Sequence, residues 1–345
     1  LTFSRRHGDP SRPWNQFSIR VKSADGSRRL SYEGNWRDIF QNWEALCQSF
    51  PGFLDAVIAR FVNASTVDGH NPYRVTREGI DWEVPDPEDP WSNIGYWGDH
   101  QLVYLVRLLE AKERAAPGAL ARLLDRPLFS YADVPYRLRP YEALVRDAKS
   151  TITFDRRAEQ RSEARVLRLG DDGRFVEGPD GRVLQRSLAE KLLVPALAKL
   201  SCLVVDGGIW LNTQRPEWND ANNALVGAGL SVVTLAYLRR YLAFLAALFA
   251  ADRPLSLSAE VAEWMREIDA VLLAHRGCLD APRVDDRRRR AAVERGRAAV
   301  RRGRRPPRGP RLRPGRPERG RASARRPALL TFRARGAATA TSRPR

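Results

Sequence analysis

Cysteine is scarce here: Cys47, Cys202 and Cys278 are the only three, far apart in sequence. They form neither a disulfide framework nor the close spacing of a metal site, a pattern that suits a reducing, cytoplasmic setting. No secretory leader is legible. There is no uninterrupted apolar run of membrane length, because residues 224–251 are split by Arg239-Arg240 and neither half reaches the roughly 20 residues of a span. No Gly-x-Ser-x-Gly elbow and no Cys–His signature occurs. Gly227-Ala228-Gly229 lies inside a helical pattern with no strand before it, which excludes a phosphate loop. His100 has no second His or Cys at ligand spacing, which argues against a metal. Asn63-Ala64-Ser65 matches a glycosylation sequon, but at a helix end in a cytoplasmic-looking chain.

Lysine is absent from residues 281–345, where 23 Arg stand against four acids, a net of +19. The whole chain carries +18, so the 280 residues before that stretch are close to neutral. The basic segment is Arg, Pro, Gly and Ala almost throughout, holds none of the nine Trp, and reads as disordered by composition. A frameshifted end is the expectation, since these residues are what GC-rich DNA encodes out of frame. The competing expectation is a basic arm that binds RNA or an anionic surface. The chain also opens on Leu1 within a patterned segment, and a fragment at both ends is expected.

The 345 residues have ample material for a core. Residues 15–33 alternate around an Asp25-Gly26 turn and predict a hairpin. Apolar spacing predicts helices over 35–50 and 53–63, broken at Pro51-Gly52. A long aromatic loop, 65–96, follows. Helices are expected again over 97–114, 118–125, 187–200, 222–251 and 256–275. Between them, 151–186 reads as an exposed insertion, with a β-hairpin at 164–186. The fold class is mainly α, built of paired helices with long aromatic loops at one end.

Three clusters mix Trp with carboxylates, amides and Arg near a helix start. The first runs from Asn35-Trp36 through Arg37, Asp38, Gln41 and Asn42. The second holds Asp81-Trp82-Glu83 and Trp97-Gly98-Asp99-His100. The third runs from Asn212 through Gln214, Arg215, Glu217, Trp218, Asn219 and Asp220. Indole offers a flat apolar face to a pyranose, amides bond its hydroxyls, and a carboxyl handles a proton. The plainer alternatives are a solvated face with Arg37 and Asp38 in surface pairs and Trp36 and Trp43 in the core for the first, and a helix start capped by Asp99 and His100 for the second. For the third it is a capped helix start with Trp218 on the neighbouring turn and Gln214 and Arg215 as loop polars.

Taken together the clusters resemble one family. Trp218-Asn219-Asp220-Ala221-Asn222-Asn223 looks like the Asp-Trp-Asn-Asp-Gly-x-Asn segment of the cellobiose and chitobiose phosphorylases. Arg37-Asp38-Ile39-Phe40-Gln41-Asn42 looks like their Arg-Asp-x-x-Gln-Asp, and Asp99-His100 resembles their Asp-Asp-His-Leu-Trp region. The order along the chain agrees. Glu217, Ala221 and Asn42 depart from the pattern, which leaves the sugar open.

This resemblance to the six-hairpin glycosidases implies a partial (α/α)6 barrel over 34–276, interrupted by the 151–186 insertion. Residues 1–33 would end a β-rich segment, and 281–345 would be the disordered tail. It also implies cleavage of a glycosidic bond by hydrolysis or phosphorolysis, with inversion. Asp220 would be the general acid. Trp218, Asn219, Arg37, Asp38, Gln41, Asn42, Trp82, Glu83, Trp97, Asp99, His100, Gln214, Arg215 and Glu217 would contact the sugar. No metal or cofactor is implied beyond inorganic phosphate as co-substrate in a phosphorylase, and the expected partner is an oligosaccharide. Nucleic acid and membrane partners are not expected. Asp81, Glu83 and Asp99 are candidates for a base. With fewer helices than a closed barrel needs, the isolated chain is expected to be poorly active.

Overall fold

The computed structural model describes residues 25–27, 34–72, 74–75, 79–82, 84–85, 87–88, 96–97, 101–148, 150–210, 229–250, 255–279, 281 and 283–303. The protein is mainly α. Its helices are α1 (Trp36–Ser49), α2 (Leu54–Asn63), α3 (Gln101–Ala115), α4 (Tyr141–Arg146), α5 (Arg156–Leu169), α6 (Leu188–Leu200), α7 (Val232–Leu248), α8 (Ala259–Ala274), α9 (Arg276–Leu279) and α10 (Asp286–Gly303). Twelve strands of two or three residues pin the connections among the described residues: β1 (Gly34–Asn35), β2 (Asn71–Pro72), β3 (Arg74–Val75), β4 (Ile80–Asp81), β5 (Tyr96–Trp97), β6 (Pro127–Phe129), β7 (Tyr136–Leu138), β8 (Ile152–Phe154), β9 (Arg186–Ser187), β10 (Leu203–Val204), β11 (Gly208–Trp210) and β12 (Leu230–Ser231).

Local chemistry explains where the helices begin. Ser187 caps α6 by accepting from Glu190 N (3.2 Å), and Ser231 caps α7 by accepting from Thr234 N (3.1 Å). Ser258 does the same for α8 and Asp155 for α5, whose Ala158 N lies 3.0 Å from the carboxylate. Each such cap is worth about 1 kcal/mol against alanine. In α2 the residues Leu54, Val57, Ile58, Phe61 and Val62 fall on one face and are all buried. Central helix α6 is buried from Leu188 to Lys199, with α2, α3, α7 and α8 around it. Trp264 of α8 is 1% exposed and directs its Nε1–H to Ser201 Oγ (3.2 Å), so a large apolar ring is buried without orphaning its donor. One continuous core runs from Phe40 to Ala299. Each fully buried Leu or Phe in it contributes about 1.5–3 kcal/mol of transfer free energy.

The expected helices at 35–50, 53–63, 187–200 and 256–275 are present with small shifts at their ends. The helix expected from 97 starts at Gln101, because Trp97 belongs to a strand, and the one expected over 118–125 is a single 3-10 turn, Ala121–Leu123. The helix expected from Asn222 has its start at Val232, after β12, and residues 222–228 lie outside the described ones. The stretch 65–96, expected as a long aromatic loop, carries short strands: β2 pairs with β5, and β3 pairs with both β1 and β4.

Two expectations are corrected more deeply. The hairpin proposed for 164–186 shrinks to 176–184, where Leu184 N bonds Val176 O (2.8 Å) around a turn at Gly178–Gly181. Residues 156–169 are instead helix, polar nearly all round but capped by Asp155 and ended by Gly170 at φ +63°. The stretch from 281 is ordered as α10 over Asp286–Gly303, with Ala292, Arg297 and Ala299 buried. Most of the 15–33 hairpin and residues 304–345 lie outside the described residues. The Asp25 carboxylate does accept from Ser27 N (2.9 Å) at the expected turn. No helix among the described residues is long and apolar enough to cross a membrane.

Candidate functional site

Cross-helix pairs fix which ends of the helices lie together. Asp55 in the first turn of α2 meets Lys112 near the end of α3 (2.8 Å). At the other end of α2, Phe61 O accepts from Asn71 Nδ2 (3.4 Å), and Asn71 Oδ1 accepts from Gln101, the first residue of α3. Helix α2 therefore runs against α3. Helix α1 folds back on α2, with the Phe40 and Phe61 rings 4.6 Å apart. It thus runs with α3, and Glu44 accepts from Arg107 Nε at 2.6 Å.

Helix α7 also runs with α3. Arg107 hydrogen-bonds Tyr237, and three residues further along each helix Arg240 forks onto the Glu110 carboxylate (2.7 and 2.5 Å). Helix α6 opposes α7, with Tyr241 OH donating to Leu192 O (2.8 Å). The N-termini of α1, α3 and α7 consequently emerge at one end of the molecule. In the sequence the first two clusters adjoin the starts of α1 and α3, and the third lies between β11 and β12, ahead of α7.

Short strands tie the clusters into this end. In the sheet β1-β3-β4, Asn35 faces Arg74 and Arg74 faces Asp81, which sets the first cluster beside the second. Trp97 pairs in register with Asn71, and Gln101 bonds the Asn71 side chain, so both sides of the 98–100 link meet one residue. Trp210 of β11 pairs with Leu230 of β12, so the described residues that flank the third cluster in sequence are adjacent.

The individual residues fare differently. Asp220, Trp218, Asn219, Gln214, Arg215 and Glu217 lie outside the described residues, as do Glu83, Asp99 and His100. Arg37, Asp38 and Gln41 fall in the first turns of α1, and Trp97 in β5, but their side chains are also outside the described set. Asn42 is half-buried on α1. Trp82 is corrected from a sugar platform to a buried anchor. It is 5% exposed, its Nε1 donates to Glu159 Oε2 (2.7 Å), and the Arg174 guanidinium covers its ring at 5.3 Å. Arg174 also pairs with Asp81, which removes that carboxylate from the free bases. Glu159 titrates above the ordinary glutamate value because burial disfavours its charge, while the Trp82 N–H works the other way.

A buried polar belt beneath the clusters was not legible in advance. Ser65, Thr66, Asp68, His70 and Asn71 are all under 8% exposed, although they form a loop. Thr66 Oγ1 donates to Asp68 and accepts from His70 N (3.1 Å). Beside the loop, Lys191 has no exposed surface; its Nζ donates to Ser65 O (3.1 Å) and lies 3.4 Å above the Tyr131 ring. Tyr131 OH donates to Glu190 (3.1 Å), which also accepts from Ser258 N (2.6 Å). Burial pulls the Lys191 ammonium well below its usual range and pushes the Tyr131 phenol well above its own. The available signal was the run of polar residues from Ser65 to Asn71 directly after an amphipathic helix. Its burial depends on Gly69, which approaches α6 closely and which pattern alone does not reveal. No cluster of His, Cys, Asp or Glu suited to a metal occurs among the described residues.

Compared with known proteins, the chain matches no family model and no curated sequence.

Proposed function

We propose that this chain is a carbohydrate-active domain that cleaves a glycosidic bond by hydrolysis or phosphorolysis, with Asp220 as general acid. The paired helices belong, on this reading, to a partial (α/α)6 barrel, and the loops before α1, α3 and α7 form its mouth. The observation that carries the reading is the shared end of those three helices, established by the Glu44–Arg107, Asn71–Gln101 and Arg240–Glu110 pairs. A shared composition in three clusters separated in sequence, ahead of helices that start at one end, is what a single ligand site would require.

Chemically, an inverting enzyme protonates the glycosidic oxygen with one carboxylic acid while water or phosphate attacks the opposite face of the sugar. A hydrolase needs a second carboxylate about 6.5–9.5 Å away to activate that water. With Asp81 held by Arg174, the candidates for this base are Glu83 and Asp99. Inorganic phosphate would replace the base in a phosphorylase. Trp218 would stack on the ring, with Asn219, Arg37 and Asn42 bonding hydroxyls.

The test uses the full chain and a panel of gluco- and chito-oligosaccharides, with binding read by calorimetry and sugar release measured with and without phosphate. Saturable binding and a turnover that Asp220→Asn lowers by about 10²–10⁴-fold are expected. The loss should be much smaller on an aryl glycoside whose leaving group needs no proton. Such turnover would also correct the expectation of a poorly active chain. Binding without turnover would make the protein a sugar-binding scaffold, and absence of saturable binding across the panel would overturn the proposal.

A further inference from the structure

The arginine-rich stretch supplies buried side chains to the β10–β11 hairpin, the element that leads into the third cluster. In the first turn of α10, Arg289 Nε donates to Val205 O (3.0 Å), and its guanidinium reaches Asp206 (3.6 Å) at the hairpin turn. Two turns later, Arg297 is 4% exposed. Its guanidinium lies 5.6 Å from the centroid of the Trp210 indole, and its Nη1 is 3.1 Å from Cys202 Sγ. Tyr141 meets the same indole edge-on, with centroids 6.0 Å apart. Ala292, Gly296 and Ala299 are the small residues that allow this approach, and Gly296 rests on the Ser201 backbone.

A guanidinium withdrawn from water is retained only where its surroundings compensate the lost hydration. An aromatic face within about 6 Å is one such compensation, and it favours Arg with Trp. Trp210 is the last residue of β11, and it pairs with Leu230 of β12. We propose that Arg297 is a positioning residue: by clamping Trp210 it fixes the β11–β12 pairing ahead of α7, so that α10 is a working part of this end of the molecule. A solvated basic arm would leave Arg297 in water. The inference goes beyond the sugar reading, since the clamp concerns the β11–β12 pairing and needs no ligand.

The three cysteines provide the readout, because Cys202 lies under Arg297, Cys47 is buried in α1 and Cys278 is half-exposed. The full chain and its Arg297→Ala, Arg297→Lys and Arg287→Ala variants are alkylated with iodoacetamide in the native state, and each cysteine is quantified by mass spectrometry. Hydrogen exchange over 203–231 is compared with that of α3. Arg297→Ala is expected to speed Cys202 alkylation by about tenfold or more, as local opening does. Exchange at 208–210 and 230–231 should quicken, while Cys47 and α3 stay unchanged. Arg297→Lys should recover part of the protection, and the exposed Arg287→Ala should match the parent. Unaltered Cys202 protection in Arg297→Ala would overturn the proposal. So would a rise at Cys47 and α3 in step with Cys202, which marks general destabilisation. Should Arg297→Ala fail to fold, Arg297→Lys decides by the same two criteria.

Discussion

Lys191 stands near the start of α6 with no exposed surface, above the Tyr131 ring and against Ser65 O. The charged and titratable groups around it are Glu190, Arg186 and Tyr131. Its folded-state pKa is well below the ordinary lysine value of 10.5, chiefly through desolvation. Between that lowered value and 10.5 the unfolded chain binds a proton that the native chain does not. Stability therefore rises with pH across this window. Lys191→Met keeps a straight apolar stem, and Ser65 O still accepts from Ala132 N (3.1 Å). We expect the variant to be more stable than the parent by about 1–4 kcal/mol on the acid side of the window and to lack the alkaline rise. Urea unfolding across the window measures both, and an undiminished slope in the variant would refute the assignment. At this scale Trp82 shows what a sequence marks and what it hides. Trp82 was legible as important, yet the Glu159 and Arg174 that claim its N–H and its face come from 77 and 92 positions later in the chain. Such partners follow from tertiary packing and leave no local mark.

Among the elements, legibility followed amphipathicity. Helices α2 and α8 have apolar residues on a 3.6-residue period and appeared where the pattern put them. Helix α5 has almost no apolar stripe, and its signals were the Asp155 cap and a run of good helix formers, which periodicity does not weigh. Helix α10 was hidden by composition, because its docking stripe is Ala292, Gly296 and Ala299 and not large apolar residues. The Ser65–Asn71 loop is held to α6 at Gly69. There φ is +81°, and an added Cβ would lie 2.7 Å from Ala198 Cβ and 2.9 Å from Val194 O. Gly69→Ala combines a left-handed conformation with a backbone collision, and we expect a loss of about 2–4 kcal/mol. Gly26→Ala is the control, since φ is +82° there with nothing within 4 Å. Thermal denaturation compares them, and equal effects would show that the close approach to α6 contributes nothing.

For the whole molecule, mainly α architecture and the pairing of α1 with α2 could be read from the sequence. That the starts of α1, α3 and α7 share one end could not be read from the sequence, because it needed the direction of α7 relative to α3. That direction rests on Arg107, Glu110, Tyr237 and Arg240, surface-type residues that no pattern singles out. Trp210 and Leu230 pair in register, so a two-residue turn can join them. Replacing 211–229 by an Asn-Gly turn should leave a single cooperative urea transition, with stability changed by no more than about 2 kcal/mol. Oligosaccharide binding, if present in the parent, should vanish. A broad, non-cooperative transition would mean that the segment is part of the core.

The meeting of β11 with β12 has an evolutionary corollary. Because Trp210 and Leu230 are neighbours, a change in the length of chain between them does not by itself alter the distance over which β11 and β12 must be joined. The pairing, and the start of α7 that follows it, can thus stay in place while the intervening sequence changes.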